Sequence, residues 1–392
     1  MRNTSSSSRG TTWFLFAIAS VVLLGFTALL LGSIIAGPDH YREMGAFWEA
    51  GWAASHHQDP YGIYPLTPGS KLALPGGSEA IVYDRNISPP SVLPLFQVFA
   101  LFSPLTVAVT WTIFSALLII TGAGLVVSAL GERLQKRQIL WLLLSVSIFE
   151  SLAVIEDYSL LFFLACLTLH LLVRGRTIWP AIIVGVLVAI KPNLGLWPIM
   201  LFLSCHKKAA VVIAGTAVTL SILPIFAYGP SIYWQWLHGD NTSYHSILVG
   251  DISLMGICSR LGSRTVGFVL AVISGFGFLL FVRRVRPSTV EISGLAICAG
   301  ILCSPLGWAS YTLFAAPFFI GFRRWGKIET TAAILLAIPQ PLWQPTVGWV
   351  SLLRALPRIL GLLLMITSFL RSSLQGNSNH DYSISVIRTT AA

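Results

Sequence analysis

Apolar runs of roughly 16 to 25 residues recur from Thr12 to Leu370, and they constrain the fold more than any other feature of this chain. A run of that length lets an α-helix cross a bilayer, where every backbone polar group must be paired within the segment. Hydrophobic residues make up 55% of the 392 and charged residues only 10%, against about 25% charged in soluble domains. The sequence therefore predicts an all-α, polytopic membrane helix bundle. A single domain is expected over residues 1–370, with a polar, disordered cytoplasmic tail over 371–392.

Spans are expected near 12–36, 88–102, 105–130, 178–193, 194–205, 209–227, 265–282, 288–304, 308–322, 328–345 and 348–370. Residues 139–173 are interrupted by Glu150, Glu156 and Asp157 and should split into a tight hairpin. The count is about 11–13 spans. The net charge of +10 sits in short clusters between spans: Arg174 and Arg176, Lys207 and Lys208, Arg283 with Arg284 and Arg286, and Arg323 with Arg324 and Lys327. That is the positive-inside pattern, not the continuous basic surface that nucleic acid requires, so no nucleic-acid partner is expected. The N-terminal MRNTSSSSRG and its apolar run suit an uncleaved signal anchor with its basic end in the cytoplasm. One tension remains. The clusters require an odd number of crossings between Tyr64 and the basic GERLQKRQ at 131–138, but 88–102 and 105–130 together make two.

The loop 37–87 carries Arg42, Lys71 and Arg85 against Asp39, Glu43, Glu49, Asp59, Glu79 and Asp84, which suits the extracytoplasmic side. Asp39 falls where the first span should leave the bilayer. After it, Met44, Phe47, Trp48 and Trp52 recur at helical spacing, with Arg42, Glu43 and Glu49 off that face. The pattern predicts a short helix lying in the membrane interface. A carboxylate at the membrane surface beside such a helix fits an enzyme with a lipid-linked substrate. A second outer loop, 228–264, mixes Tyr228, Tyr233, Trp234, Trp236 and Tyr244 with His238, Asp240, Asn241, His245, Asp251 and Arg260. Rings beside polar groups suit an interfacial belt and equally suit sugar faces.

Each candidate has a plainer alternative. Asp39 could cap a helix, and Lys191, in AIKPN at a span end, could snorkel to headgroups. As a cation, Lys191 could instead meet a phosphate oxygen. Arg85 could do the same or pair with Asp84. Glu156 and Asp157 would point about 100° apart on a helix and so form no geometric carboxylate pair without a special turn, but acids at a membrane end are costly enough to suggest a function. No metal-ligand spacing, Gly-rich nucleotide loop or nucleophile elbow is present, and five scattered cysteines do not form a disulfide framework. No metal or cofactor is called for, and a group donor, if there is one, is not nucleotide-activated.

Several short motifs follow one another in order. Asp39 is followed by Asp59-Pro60-Tyr61, then Tyr83 with Pro89-Pro90 and a basic RGR turn. Beyond these come Ile190-Lys191-Pro192, a stretch with Ser253, Leu254, Gly256 and Arg260, and finally Ser304-Pro305 with Trp308. In this order they resemble glycosyltransferase family 87 of the GT-C superfamily, the polyprenol-phosphate-mannose-dependent α-mannosyltransferases. The resemblance implies a GT-C-type bundle and an inverting transferase with Asp39 as catalytic base. Its donor would be a polyprenyl-phosphate sugar, its acceptor a glycan or glycolipid, and its surroundings membrane lipids. Lys191, Arg260 and Arg85 are the candidates for the donor phosphate. Tyr61, Glu156, Asp157, His245 and Trp308 are candidates for substrate contact. The chain departs from the family pattern at Glu156-Asp157, where Gly-Gln or Gly-Asn is usual, and at Ser310, where a histidine is common. The rival classes are a transporter or lipid flippase and a polysaccharide polymerase or ligase. Against a transporter, polar residues gather in the outer loops rather than at mid-span breaks.

Overall fold

The computed structural model describes residues 5–37, 40–73, 79–83, 85–239, 250–322, 325–339 and 349–376. Helix α1 (Ser5–Ala36) leads into the first large loop, which holds α2 (Glu43–Ser55) and an antiparallel hairpin of β1 (Gly69–Ala73) and β2 (Glu79–Tyr83). The bundle continues with α3 (Leu93–Phe99), α4 (Pro104–Leu130), α5 (Lys136–Leu144), α6 (Val146–Val154), α7 (Tyr158–Val173), α8 (Ile178–Ile190), α9 (Leu196–Leu203) and α10 (Lys207–Tyr228). Then come α11 (Ser231–Gly239), α12 (Leu254–Arg260), α13 (Arg264–Val285), α14 (Thr289–Cys303), α15 (Thr312–Phe322), α16 (Lys327–Leu336) and α17 (Trp349–Gly376). Among the described residues, six helical stretches are long and apolar enough to cross a membrane, and shorter apolar helices fill in between them.

Local chemistry fixes the helix ends. The Ser103 side chain accepts from the Thr106 amide, and Pro104 fills the first helical position of α4, where a missing N–H costs nothing. Ser288 and Glu291 cap α14 reciprocally. Helix α14 is buried along nearly its whole length and packs against α9, α13, α15 and α17, so it forms the centre of the bundle. Large apolar side chains on the outer helices, such as Phe14, Val21, Leu29, Phe226, Phe276 and Leu353, are exposed. Such a surface requires lipid as its solvent.

Several expectations are revised. Residues 88–102 do not form a span. The apolar helix there is Pro90–Phe99, and at about 1.5 Å per residue it covers about half of the ~30 Å hydrocarbon core. It lies against α2, where Phe47 and Phe96 stack with centroids 4.6 Å apart. A side chain at Gly51 would strike the Phe96 carbonyl, so the close approach of α2 and α3 requires glycine there. With that segment removed, α4 alone connects the first loop to GERLQKRQ, which is the odd number required by the basic clusters. Helix α2 exists, but the face expected to grip lipid packs on protein, with Met44 and Phe47 buried.

Glu49 was expected on the polar side and is also buried. It accepts from the Leu66 amide and the Thr67 hydroxyl and so pins the following turn. Glu150 does not mark a break. It sits inside α6 and forms a bidentate pair with the fully buried Arg358 of α17, with Arg358 Nη1 2.8 Å from Glu150 Oε2. The hairpin turn falls at 155–157 instead, and a second interruption separates α5 from α6 at Ser145. Arg371 to Gly376 belong to α17; the tail beyond lies outside the described residues, as do Asp39 and His245.

Candidate active site

The polar ends of several helices converge at one small cavity, of about 20 Å3. Glu43 and Phe47 of α2 line one side, and Arg85, Ile87 and Ser88 of the segment before α3 line another. Glu156, Tyr158, Lys191, Trp308 and Tyr311 complete it.

Lys191 lies where α8 stops. Its amide donates to the Leu187 carbonyl at 2.8 Å, and Pro192 prevents the helix from continuing. The side chain is buried rather than snorkelling: its ammonium lies 3.3 Å from Asp157 Oδ1 and 5.4 and 5.6 Å from the ring centroids of Tyr158 and Tyr311. The two rings meet edge to face at 5.5 Å. A buried ammonium needs a counter-ion, and Asp157 supplies it, with the ring faces adding cation–π attraction.

The helix does break at Glu156 and Asp157, but the turn does not bring the two acids together. Ile155 ends α6 in the left-handed region at φ 59°, so the two acids leave the helical path and diverge. Trp111 Nε1 donates to the Glu156 carbonyl at 3.1 Å, fixing that turn against α4. Glu156 lines the cavity, while Asp157 turns to Lys191. Asp157 Oδ2 has no hydrogen-bond partner among the described residues.

The Pro-Pro segment is held from three sides. Ser91 donates to the Ala189 carbonyl at 2.6 Å, Trp236 Nε1 to the Ile87 carbonyl at 3.0 Å, and Tyr61 Oη to the Ser88 carbonyl at 3.3 Å. Tyr61 is only 1% exposed and does not line the cavity. Its place is beneath the wall, supporting the strand of chain that carries Arg85.

Arg260 is also placed differently from expectation. It is buried, its Nη2 donates to the Asp251 carbonyl at 2.6 Å, and it is not among the residues lining the cavity. Together with Ser253 and Gly256 it builds a clasp. Ser253 caps α12 by accepting from the Gly256 amide, and a side chain at Gly256 would come within 2.4 Å of the Asp251 carboxyl. Asp251 Oδ1 accepts from the Ser253 amide at 2.9 Å and the Gly307 amide at 3.0 Å, and Asp251 forms a bridge with Trp308. The clasp thus holds Trp308 at the cavity wall. Burial pushes the Asp251 carboxyl up to about 6, against the lowering effect of those amides and of Arg260.

Sequence reasoning placed Arg85, Glu156, Lys191 and Trp308 in the site, and these four meet at the cavity. It overlooked Tyr158 and Tyr311. The available signal was position: Tyr158 directly follows the acid pair, and Tyr311 is one helical turn beyond Trp308. It also left Asp251 as one polar residue among many.

These features define a polytopic helical membrane protein with a small charged cavity at one end of its spans, where ring faces, acids and cations face each other. The chain belongs to glycosyltransferase family 87, whose model matches residues 86–305, and it is a membrane glycosyltransferase. The matched stretch contains Glu156, Asp157, Lys191 and Arg260. No curated protein and no solved structure matches the chain.

Proposed function

We propose that this protein transfers a hexose, mannose in the first instance, from a polyprenyl-phosphate donor to an acceptor hydroxyl. The acceptor is a lipid-linked or envelope glycan at the extracytoplasmic face of the cell membrane. The observation that carries this reading is the presence of both Lys191 and Arg85 at the wall of a cavity that also presents Glu156, Trp308 and Tyr311. Two cations suit a phosphate, and an acid beside ring faces suits a sugar.

In this reading Lys191 and Arg85 hold the donor phosphate, and Arg260 contributes by keeping the Asp251 clasp and Trp308 in place. Asp39 removes the acceptor proton as the hydroxyl oxygen bonds to the anomeric carbon. The bond from that carbon to the phosphate oxygen breaks, and its electron pair leaves with the polyprenyl phosphate. Attack opposite the leaving group inverts the anomeric centre. Phosphate is already a good leaving group, so no general acid is required.

The test is transfer by purified protein in lipid vesicles, supplied with a polyprenyl-phosphate hexose and a glycan acceptor. Release of polyprenyl phosphate with matching glycosylation of the acceptor is expected. Transfer only from a nucleotide sugar or a diphosphate-linked donor would overturn the reading.

A further inference from the structure

A second and larger cavity, of about 470 Å3, lies between α7, α8, α9, α10 and the start of α14. That falls within the roughly 300–1,000 Å3 typical of ligand pockets. None of its lining residues is shared with the charged cavity.

Its inner wall is mostly hydrocarbon. Pro180, Val184, Leu201 and Ile213 line it, and the polar side chains of Thr168, Ser293 and Trp197 beside them are already used. Thr168 donates to the Leu164 carbonyl at 2.8 Å, Ser293 to the Thr289 carbonyl at 2.7 Å, and Trp197 Nε1 to Ser293 Oγ at 3.1 Å. The mouth is different. Lys207 and Lys208, at the first turn of α10, line it and are exposed. Lys207 extends over the Phe202 ring at 5.9 Å, its stem along apolar surface. Burial pushes the His206 imidazole down, so the positive charge at the mouth comes from the lysines. An apolar chamber with a cationic rim, set among helices that lie in a bilayer, complements an amphiphile with an anionic head.

We propose that this cavity binds one anionic phospholipid from the leaflet at the basic end of the bundle, with an acyl chain between α8 and α10 and the phosphate at Lys207 and Lys208. A lysine near a membrane surface is worth about fivefold in attraction to anionic lipid, or ~30-fold for the pair.

Native mass spectrometry of the purified full chain, titrated separately with phosphatidylglycerol and phosphatidylcholine, tests this. One phosphatidylglycerol should bind at least tenfold more tightly than phosphatidylcholine. Lys207→Ala with Lys208→Ala should abolish that preference, whereas Arg283→Ala with Arg284→Ala, exposed charges that do not line the cavity, should preserve it. Val184→Trp should fill the chamber and lose both lipids. If that variant does not fold, the lysine variant decides alone, since both lysines are exposed. Equal affinity for the two lipids, a preference that survives loss of the lysines, or retention of a polyprenyl phosphate in place of a diacyl lipid would each overturn the proposal.

Discussion

Lys191 gives the sharpest test of the charged cavity, because the structure changes what its removal should do. A lysine snorkelling at a span end could be truncated without harm to the fold. Here it is 8% exposed, with Asp157 at 3%, and the two are 3.3 Å apart. Breaking a buried pair by deleting one partner typically costs ~3–5 kcal/mol, because the other charge is left without compensation. Lys191→Met keeps much of the stem between Tyr158 and Tyr311 while removing the ammonium, so it should be destabilised on that scale. Adding Asp157→Asn removes the stranded charge and should recover most of the loss. Function should behave differently. A hydrogen bond to a charged group is worth ~1.5–3 kcal/mol, which corresponds to ~10–150-fold in kcat/KM if Lys191 contacts the donor phosphate. The double variant should therefore be stable and still slow. Thermal unfolding in detergent, alongside transfer kinetics at varied donor concentration, reads both quantities. A double variant with wild-type kcat/KM would reduce Lys191 to a structural cation. A single variant as stable as wild type would refute the buried-pair argument itself.

Four further outcomes are expected. Asp39→Asn should preserve expression and donor binding while lowering turnover by ~10²–10⁴-fold, the usual worth of a positioned base; near wild-type turnover would move the base to Glu156, which lines the cavity. Asp251, held at about 6 when folded against the ordinary 3.8, binds its proton more tightly folded than unfolded, so its contribution to stability should fall as pH rises from about 4 to about 6 and then level off. The full excursion is about 3 kcal/mol, and melting curves of Asp251→Asn across that window should lack this component. Gly256→Ala should cost ~1–3 kcal/mol through overpacking against the Asp251 carboxyl, measured by thermal unfolding. Cysteine-accessibility labelling should find residues 37–87 and 228–264 on one face of the membrane and Arg174, Lys207 and Arg283 on the other; labelling of the two loops from opposite faces would sink a shared outer site.

How far the sequence could be read depends on the range of the physics involved. A membrane span announces itself locally, because lipid tolerates no break in backbone pairing, and so the long helices fall where the apolar runs lie. The place of Lys191 at the cavity wall was legible for a similar reason, since a lysine followed by proline at a span end is both costly and geometrically fixed. Glu49 was not legible: helical spacing set it off the apolar face, and it is buried only because the turn at Leu66 and Thr67 folds back over α2. Arg358 and Glu150 make the same point at greater range, 208 positions apart in sequence. Glu150 looked like a local interruption, and only the ion pair across the fold shows its partner. Glu156 and Asp157 show how one dihedral can decide a site. On an uninterrupted helix they would be two unrelated acids, whereas the left-handed turn at Ile155 sends one to the cavity and the other to Lys191. That turn carries no glycine or asparagine to signal it. It is therefore held by its surroundings, chiefly the Trp111 bond to the Glu156 carbonyl. The turn before the acid pair is thus one of the places where this chain bears local strain, as expected where geometry serves a site rather than stability.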